Sequence, residues 1–233
     1  HEAGHTVTMD LKMVFSSDAE ILWANLQPEA PLGILAIELS TRRRLRINGR
    51  VTSLTSERLV LRVEESYPNC PKYIQRRLLR SAAPRETTDA AREGHLPDAA
   101  LLAAIKKSDT IFVASGHPSR GLDASHRGGP PGFIRFLAPD LLHIPDYAGN
   151  SMFNTLGNLS IDPRCGLTLL DFQEGRVYQM TGETKLHFNP PPEKHEPAIT
   201  GRSWDFVIQS WRSVELPIRT DWEFLDYSPY NPS

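Results

Sequence analysis

A repeat constrains this chain more than any other feature. Asn25-Leu26 recurs as Asn158-Leu159, an offset of 133 residues that holds without a gap as far as residue 51. It carries Gly33 onto Gly166, Arg43 onto Arg176 and Gly49 onto Gly182. Glu38 falls on Asp171, Leu39 on Phe172, and the apolar run Ile34–Ile37 on Leu167–Leu170. The glycines weigh most, because they mark backbone positions that a turn or a close approach dictates. Chance supplies two or three such matches, but not this set in one register. The chain reads as two copies of one β-rich unit, a first over residues 1–80 and a second over 110–233, joined by a helix-containing linker over 81–109. The same register leaves the first copy without a counterpart of Thr110–Phe133, since His1 would fall on Ile134. Either residues are absent from this chain or the first copy is degenerate. In both cases the second copy is the ligand-binding half.

Local patterns agree with many short strands. Leu32–Leu39 reads as a buried strand, Leu59-Val-Leu-Arg-Val-Glu as another, and Thr110-Ile-Phe-Val-Ala as a return to β structure. In Arg42-Arg-Arg-Leu-Arg-Ile-Asn-Gly-Arg-Val, residues Leu45, Ile47 and Val51 share one face. The alternating arginines then form a solvated face, the competing reading being a contact to phosphate or RNA. Ser17, with Glu20 three residues on, has the capping-box pattern of a short helix ending before Pro28. Pro97 opens a second helix, with Leu101, Leu102 and Ile105 as its stripe and Lys106-Lys107 at the end where the dipole favours cations.

Composition narrows the function classes. A net charge of -2 over 233 residues argues against broad nucleic-acid binding, which needs a cationic surface. No apolar run reaches the length of a membrane span, and the first residues lack the shape of a signal peptide, so a cytoplasmic location is expected and no membrane partner. Two cysteines, Cys70 and Cys165, are too few for a four-cysteine zinc site or a disulfide scaffold. Cys70 sits between two prolines with no evident base, and a structural thiol is the preferred reading. His1-Glu-Ala-Gly-His5 matches the zinc-protease pattern. It contains a glycine and runs into strand-like sequence, so it is read as a frayed end and no metal site is predicted.

The stretch from Ser125 to Leu170 gathers groups able to hold an anion beside turn glycines. Asp123-Ala-Ser-His-Arg-Gly-Gly-Pro-Pro-Gly-Phe, Ile144-Pro-Asp-Tyr-Ala-Gly-Asn, Phe153-Asn-Thr-Leu-Gly-Asn-Leu, Asp162-Pro-Arg-Cys-Gly-Leu and Met180-Thr-Gly follow in that order. This ordered set resembles the pyridoxamine 5'-phosphate oxidase-like family of FMN-binding split barrels. Asn69-Cys-Pro-Lys-Tyr-Ile, Leu216-Pro-Ile-Arg-Thr-Asp-Trp-Glu-Phe and Ser228-Pro-Tyr-Asn-Pro resemble a tandem-barrel branch of it.

The resemblance implies a mainly β chain: two split-barrel units in tandem with a few short helices, the first unit incomplete. It implies FMN as cofactor and a homodimer with flavin grooves at the interface. It places the cofactor-binding residues at Ser125, His126, Arg127, Tyr147, Gly149, Asn150 and Ser151, with Asn150 capping the helix that follows. A helix N-terminus and a bidentate arginine are both suited to a phosphate. Arg127 is the preferred phosphate ligand, while His126 is either an ionisable group beside the flavin or a structural ring. Asp146 reads as the start of the following turn. Where the oxidases carry an Arg-Lys pair this chain has Ser151-Met152, so synthesis of pyridoxal phosphate is not predicted. The function expected is an FMN-dependent oxidoreductase acting on an unknown small molecule. The alternative is a non-catalytic module that holds flavin or haem.

Overall fold

The computed structural model describes residues 6–10, 25–86, 88–188 and 199–232. Its strands are β1 (Thr6–Asp10), β2 (Pro31–Glu38), β3 (Arg43–Leu54), β4 (Arg58–Pro68), β5 (Arg76–Pro84), β6 (Arg92–Gly94), β7 (Thr110–His117), β8 (Gly121–Gly128), β9 (Arg135–Ala138), β10 (Leu141–Tyr147), β11 (Arg164–Asp171), β12 (Arg176–Phe188), β13 (Ile199–Glu215) and β14 (Ile218–Asp226). Two described helices accompany them, α1 (Ala99–Lys107) and α2 (Asn154–Ile161). The protein is mainly β, as expected. The His1–His5 motif and nearly all of the helix predicted from Ser17 lie outside the described residues.

The repeat is real at the level of backbone pairing. In the β2–β3 hairpin Gly33 pairs with Asn48 and Glu38 with Arg43; in β11–β12 Gly166 pairs with Thr181 and Asp171 with Arg176. Those are the same pairs displaced by the sequence offset. Each copy then breaks register at its glycine, between Asn48 and Gly49 against β4 and between Thr181 and Gly182 against β13. A Cβ on Gly49 would lie 2.0 Å from the Arg62 carbonyl oxygen, and one on Gly182 only 1.8 Å from that of Val207. Only glycine lets the neighbouring strand approach so closely at a bulge.

The first sheet has the order β1-β4-β3-β2, and the second contains β10-β13-β12-β11 as its equivalent, continued by β7 and β8. The six strands β8-β7-β11-β12-β13-β10 make the antiparallel split-barrel sheet that the resemblance implies. Among the described residues β7 and β8 have no counterpart in the first unit. The second unit holds the main core, where Trp204, Phe206, Ile111 and Leu142 have no exposed surface and α1 contributes Leu101 and Ile105. A smaller core of Leu26, Val51, Leu59 and Leu61 serves the first sheet. Residues 76–94 are partly strand, since β5 pairs with β14 at the other end of the chain and β6 adds to β13.

Three local expectations need correction. Helix α1 begins after Asp98, whose carboxylate accepts from the Leu101 N–H at 2.8 Å, so Pro97 precedes the cap and does not open the helix. Asn150 caps no helix: α2 starts at Asn154, its N-cap position is Phe153 without a side-chain bond, and Asn150 accepts from the Met152 N–H at 3.2 Å. The left-handed backbone of Ser151, with φ of 61°, turns the chain before the helix can start. The third correction concerns the arginines of β3. Leu45 is 37% exposed while Arg46 is only 6% exposed, so the arginine face is covered. It is covered by the second unit, where Asp123 of β8 compensates the buried charge.

Candidate functional site

The two units meet along β3 and β8, and charge pairing sets their registry. Arg46 donates from Nη1 to both Asp123 oxygens at 3.1 and 3.3 Å, and Asn48 Nδ2 donates to the same carboxylate at 3.4 Å. Burial pushes the Asp123 carboxyl up from its ordinary range, against the pull of Arg46. Two residues before Arg46 on the same face of β3, Arg44 reaches His126. Its Nη1 donates to His126 Nδ1 at 3.1 Å and its Nε to the Cys70 carbonyl at 3.0 Å.

Beside this seam lies a cleft of about 150 Å³. That volume is smaller than the roughly 300–1,000 Å³ of a drug-sized pocket, and leaves room for a compact group the size of a phosphate. The cleft brings together six of the seven predicted residues: His126, Arg127, Tyr147, Gly149, Asn150 and Ser151. Ser125 is apart from them. It is fully buried, accepts from Thr155 of α2 at 3.0 Å and holds helix to barrel.

The far wall comes from the first unit and was not predicted as a site. It consists of Arg44, Arg46 and the loop residues Asn69, Cys70, Lys72 and Tyr73. Tyr73 takes a left-handed φ of 64° that turns its ring against Tyr147, 5.1 Å between centroids, and its hydroxyl donates to the Ala148 carbonyl at 3.0 Å. Lys72 Nζ donates to the same carbonyl at 3.3 Å. Asp146 does more than begin a turn. It is buried and accepts from Arg202 Nε at 3.0 Å, with Arg127 Nη2 at 3.8 Å from its other oxygen.

Electrostatically the cleft is a cation cluster with partly unmet hydrogen bonding. Arg44, Arg46, Lys72, Arg127 and Arg202 all line it, and Asp146 is the only carboxylate that does so among the described residues. Arg127 Nε, His126 Nε2 and Asn69 Oδ1 are buried without a partner among the described residues. Burial, reinforced by Arg44 and Arg127, holds the His126 ring well below the usual histidine range, so it is neutral. A guanidinium only donates, so His126 Nδ1 accepts and its ring proton resides on Nε2. Burial, ahead of nearby negative groups, pushes the Tyr73 phenol up to about 12, which keeps it a donor.

A signal for the missed wall existed. Four arginines within Arg42–Arg46 form an unusual density of charge for a strand in a protein of net charge -2. What sequence could not supply was the partner across the seam.

No protein-family model matches the sequence, and no curated protein matches it. Among solved structures the chain is similar to a candidate pyridoxamine 5'-phosphate oxidase from Lactobacillus delbrueckii, at 9% identity and a TM-score of 0.39, over 50% of this chain and 93% of that one. It is similar to a FAD-binding protein from Mesorhizobium loti, at 9% identity and a TM-score of 0.36, over 54% of this chain and 98% of the other. A third is a Clostridium acetobutylicum protein related to general stress protein 26 of B. subtilis, of the pyridoxinephosphate oxidase family, with 8% identity, a TM-score of 0.35, and coverage of 53% and 91%. Similarity at this level assigns neither ligand nor reaction, and each match spans about half of this two-unit chain.

Proposed function

We propose that the cleft binds FMN through its phosphate and that the protein is an FMN-dependent oxidoreductase acting on a small molecule. The observation that carries this reading is the cation cluster of Arg44, Lys72, Arg127 and Arg202 around a phosphate-sized enclosure, with buried N–H donors that lack partners among the described residues. The donor set fits a phosphomonoester: Arg127 has a planar fork for bidentate hydrogen bonds, and Tyr147, Phe133 and Phe153 supply flat apolar surface at the same cleft. Bound flavin supplies one- and two-electron chemistry, while the protein orients it and excludes water. His126 is held neutral and Tyr73 protonated, so neither is assigned as an acid–base group. In this reading the first unit supplies the wall that a partner subunit would otherwise provide. Homodimerisation is a separate proposal, tested by sedimentation.

Titration of ligand-free protein with FMN and with riboflavin, followed by quenching of flavin fluorescence, tests the reading. FMN is expected to bind at least about tenfold more tightly, equivalent to about 1.4 kcal/mol from the phosphate. Equal affinity, or none for either, contradicts it. A second reading, in which flavin is held without turnover, draws on the lack of a group titrating near neutrality at His126 and Tyr73. Reduction by a nicotinamide donor followed by reoxidation by a substrate separates the enzyme from the holder.

A further inference from the structure

The cations of the cleft fall into two sets. Arg46 is neutralised by Asp123, and Arg127 and Arg202 share Asp146. Arg44 and Lys72 have no carboxylate within ion-pair distance among the described residues. Arg44 meets the Cys70 and His126 carbonyls, the neutral His126 ring and the Cys70 thiol, with its Nη2 3.8 Å from Cys70 Sγ, while Lys72 donates to the Ala148 carbonyl. Burial lowers the Arg44 guanidinium from its ordinary value, as it also lowers that of Arg127 beside Asp146. Taking a cation out of water without pairing it costs free energy, which an entering anion restores. The larger part of the cleft's surplus positive charge therefore sits on the first unit, with Arg44 and Lys72, whereas in the second unit Asp146 offsets one of the two charges of Arg127 and Arg202.

We propose that the anionic group of the ligand is held across the boundary between the two units, with Arg44 and Lys72 of the first as its charge partners opposite Arg127 of the second. This rests on the cleft being an anion site and extends it: the ligand cross-links the two copies, and binding stabilises the seam between them. The chemical class is a compact oxyanion, a phosphomonoester above all. The structure also explains why two distant motifs accompany the site. Lys72 and Tyr73 precede the fully buried Gln75, whose Oε1 accepts from the Ser228 N–H at 2.7 Å and from Asn231 Nδ2 at 3.2 Å. Gln75 Nε2 donates to the Gly129 carbonyl at 3.2 Å, and Ser228 Oγ accepts from the Tyr73 N–H at 3.1 Å. The C-terminal Ser228–Asn231 segment thus pins the loop that presents Lys72.

Cys70 reports on this arrangement. It lines the cleft beside Arg44, while Cys165 is buried and its thiol pushed up to about 12. The experiment measures alkylation of Cys70 by iodoacetamide in ligand-free protein, with and without inorganic phosphate, at an ionic strength fixed with sodium chloride. Phosphate is expected to slow alkylation several-fold in the wild type, and Arg44→Gln and Lys72→Gln each to lose most of that protection. Comparison of rates with and without phosphate within each variant removes any change in intrinsic thiol reactivity. Lys72→Gln decides the matter if Arg44→Gln fails to fold. Absence of protection in the wild type, or undiminished protection in the folded variants, overturns the proposal. Protection that depends on Arg44 and Lys72 in a protein that takes up no flavin would leave the anion site standing and remove FMN. Flavin uptake with undiminished phosphate protection in the variants would do the reverse.

Discussion

Arg46 shows how a residue that looks superficial in sequence becomes structural. Its alternation with Leu45 and Ile47 is the pattern of a solvated strand face, yet the second unit covers it and Asp123 meets it. Removing one partner of a buried ion pair leaves the other charge stranded, at a cost of about 3–5 kcal/mol. Asp123→Asn is therefore expected to destabilise the protein by about 3 kcal/mol in urea denaturation; a loss under about 1 kcal/mol would show that the seam contributes little to folding. His126 makes a second residue-scale prediction. Unfolded histidine titrates near 6.5, and the folded ring does so well below that. Below about pH 6.5 the unfolded chain takes up a proton that the folded chain refuses, so stability falls as pH drops. The slope is at most about 1.4 kcal/mol per pH unit until the folded ring itself titrates. Stability measured from about pH 7 to about pH 5 should fall less steeply in His126→Gln than in the wild type, and identical slopes would refute the buried neutral ring.

Elements that rest on backbone geometry were legible; those that rest on contacts between units were not. The register of both hairpins is readable because Gly49 and Gly182 occupy bulges where a neighbouring carbonyl excludes any Cβ. Gly182→Ala should cost about 1–3 kcal/mol or more through that overlap, whereas Gly149→Ala, which meets nothing within 4 Å, should escape that steric cost. Comparable losses from the two, measured by thermal or urea unfolding, would contradict the assignment of the bulge. The start of α2 was misread for a local reason. Asn150 is a good capping residue by type, but the left-handed Ser151 spends it on a turn to Met152. Six of the seven predicted site residues still meet at the cleft, since the ordered motifs track one sheet and the turn after β10. Ser125 diverges because its hydroxyl faces Thr155.

At the scale of the molecule, the chain closes on itself. β14 pairs with β5, Arg42 of the first unit donates to Asp226 and to the Tyr227 carbonyl, and Gln75 binds Ser228 and Asn231. None of these long-range partners is visible in local pattern, which is why no site residue is predicted in the first unit. Ending the chain after Glu215 should leave β5 unpaired, expose residues 69–84 to proteolysis and weaken ligand binding; unchanged protease resistance would show the clasp to be dispensable. The proposed occupant of the cationic cleft between the units is a phosphate-bearing flavin. The most direct measurement is the visible absorption spectrum of the intact protein as purified, with the mass of any ligand released on denaturation. Flavin absorbance and the mass of FMN are expected. A colourless protein that also fails to take up added FMN would contradict the proposal.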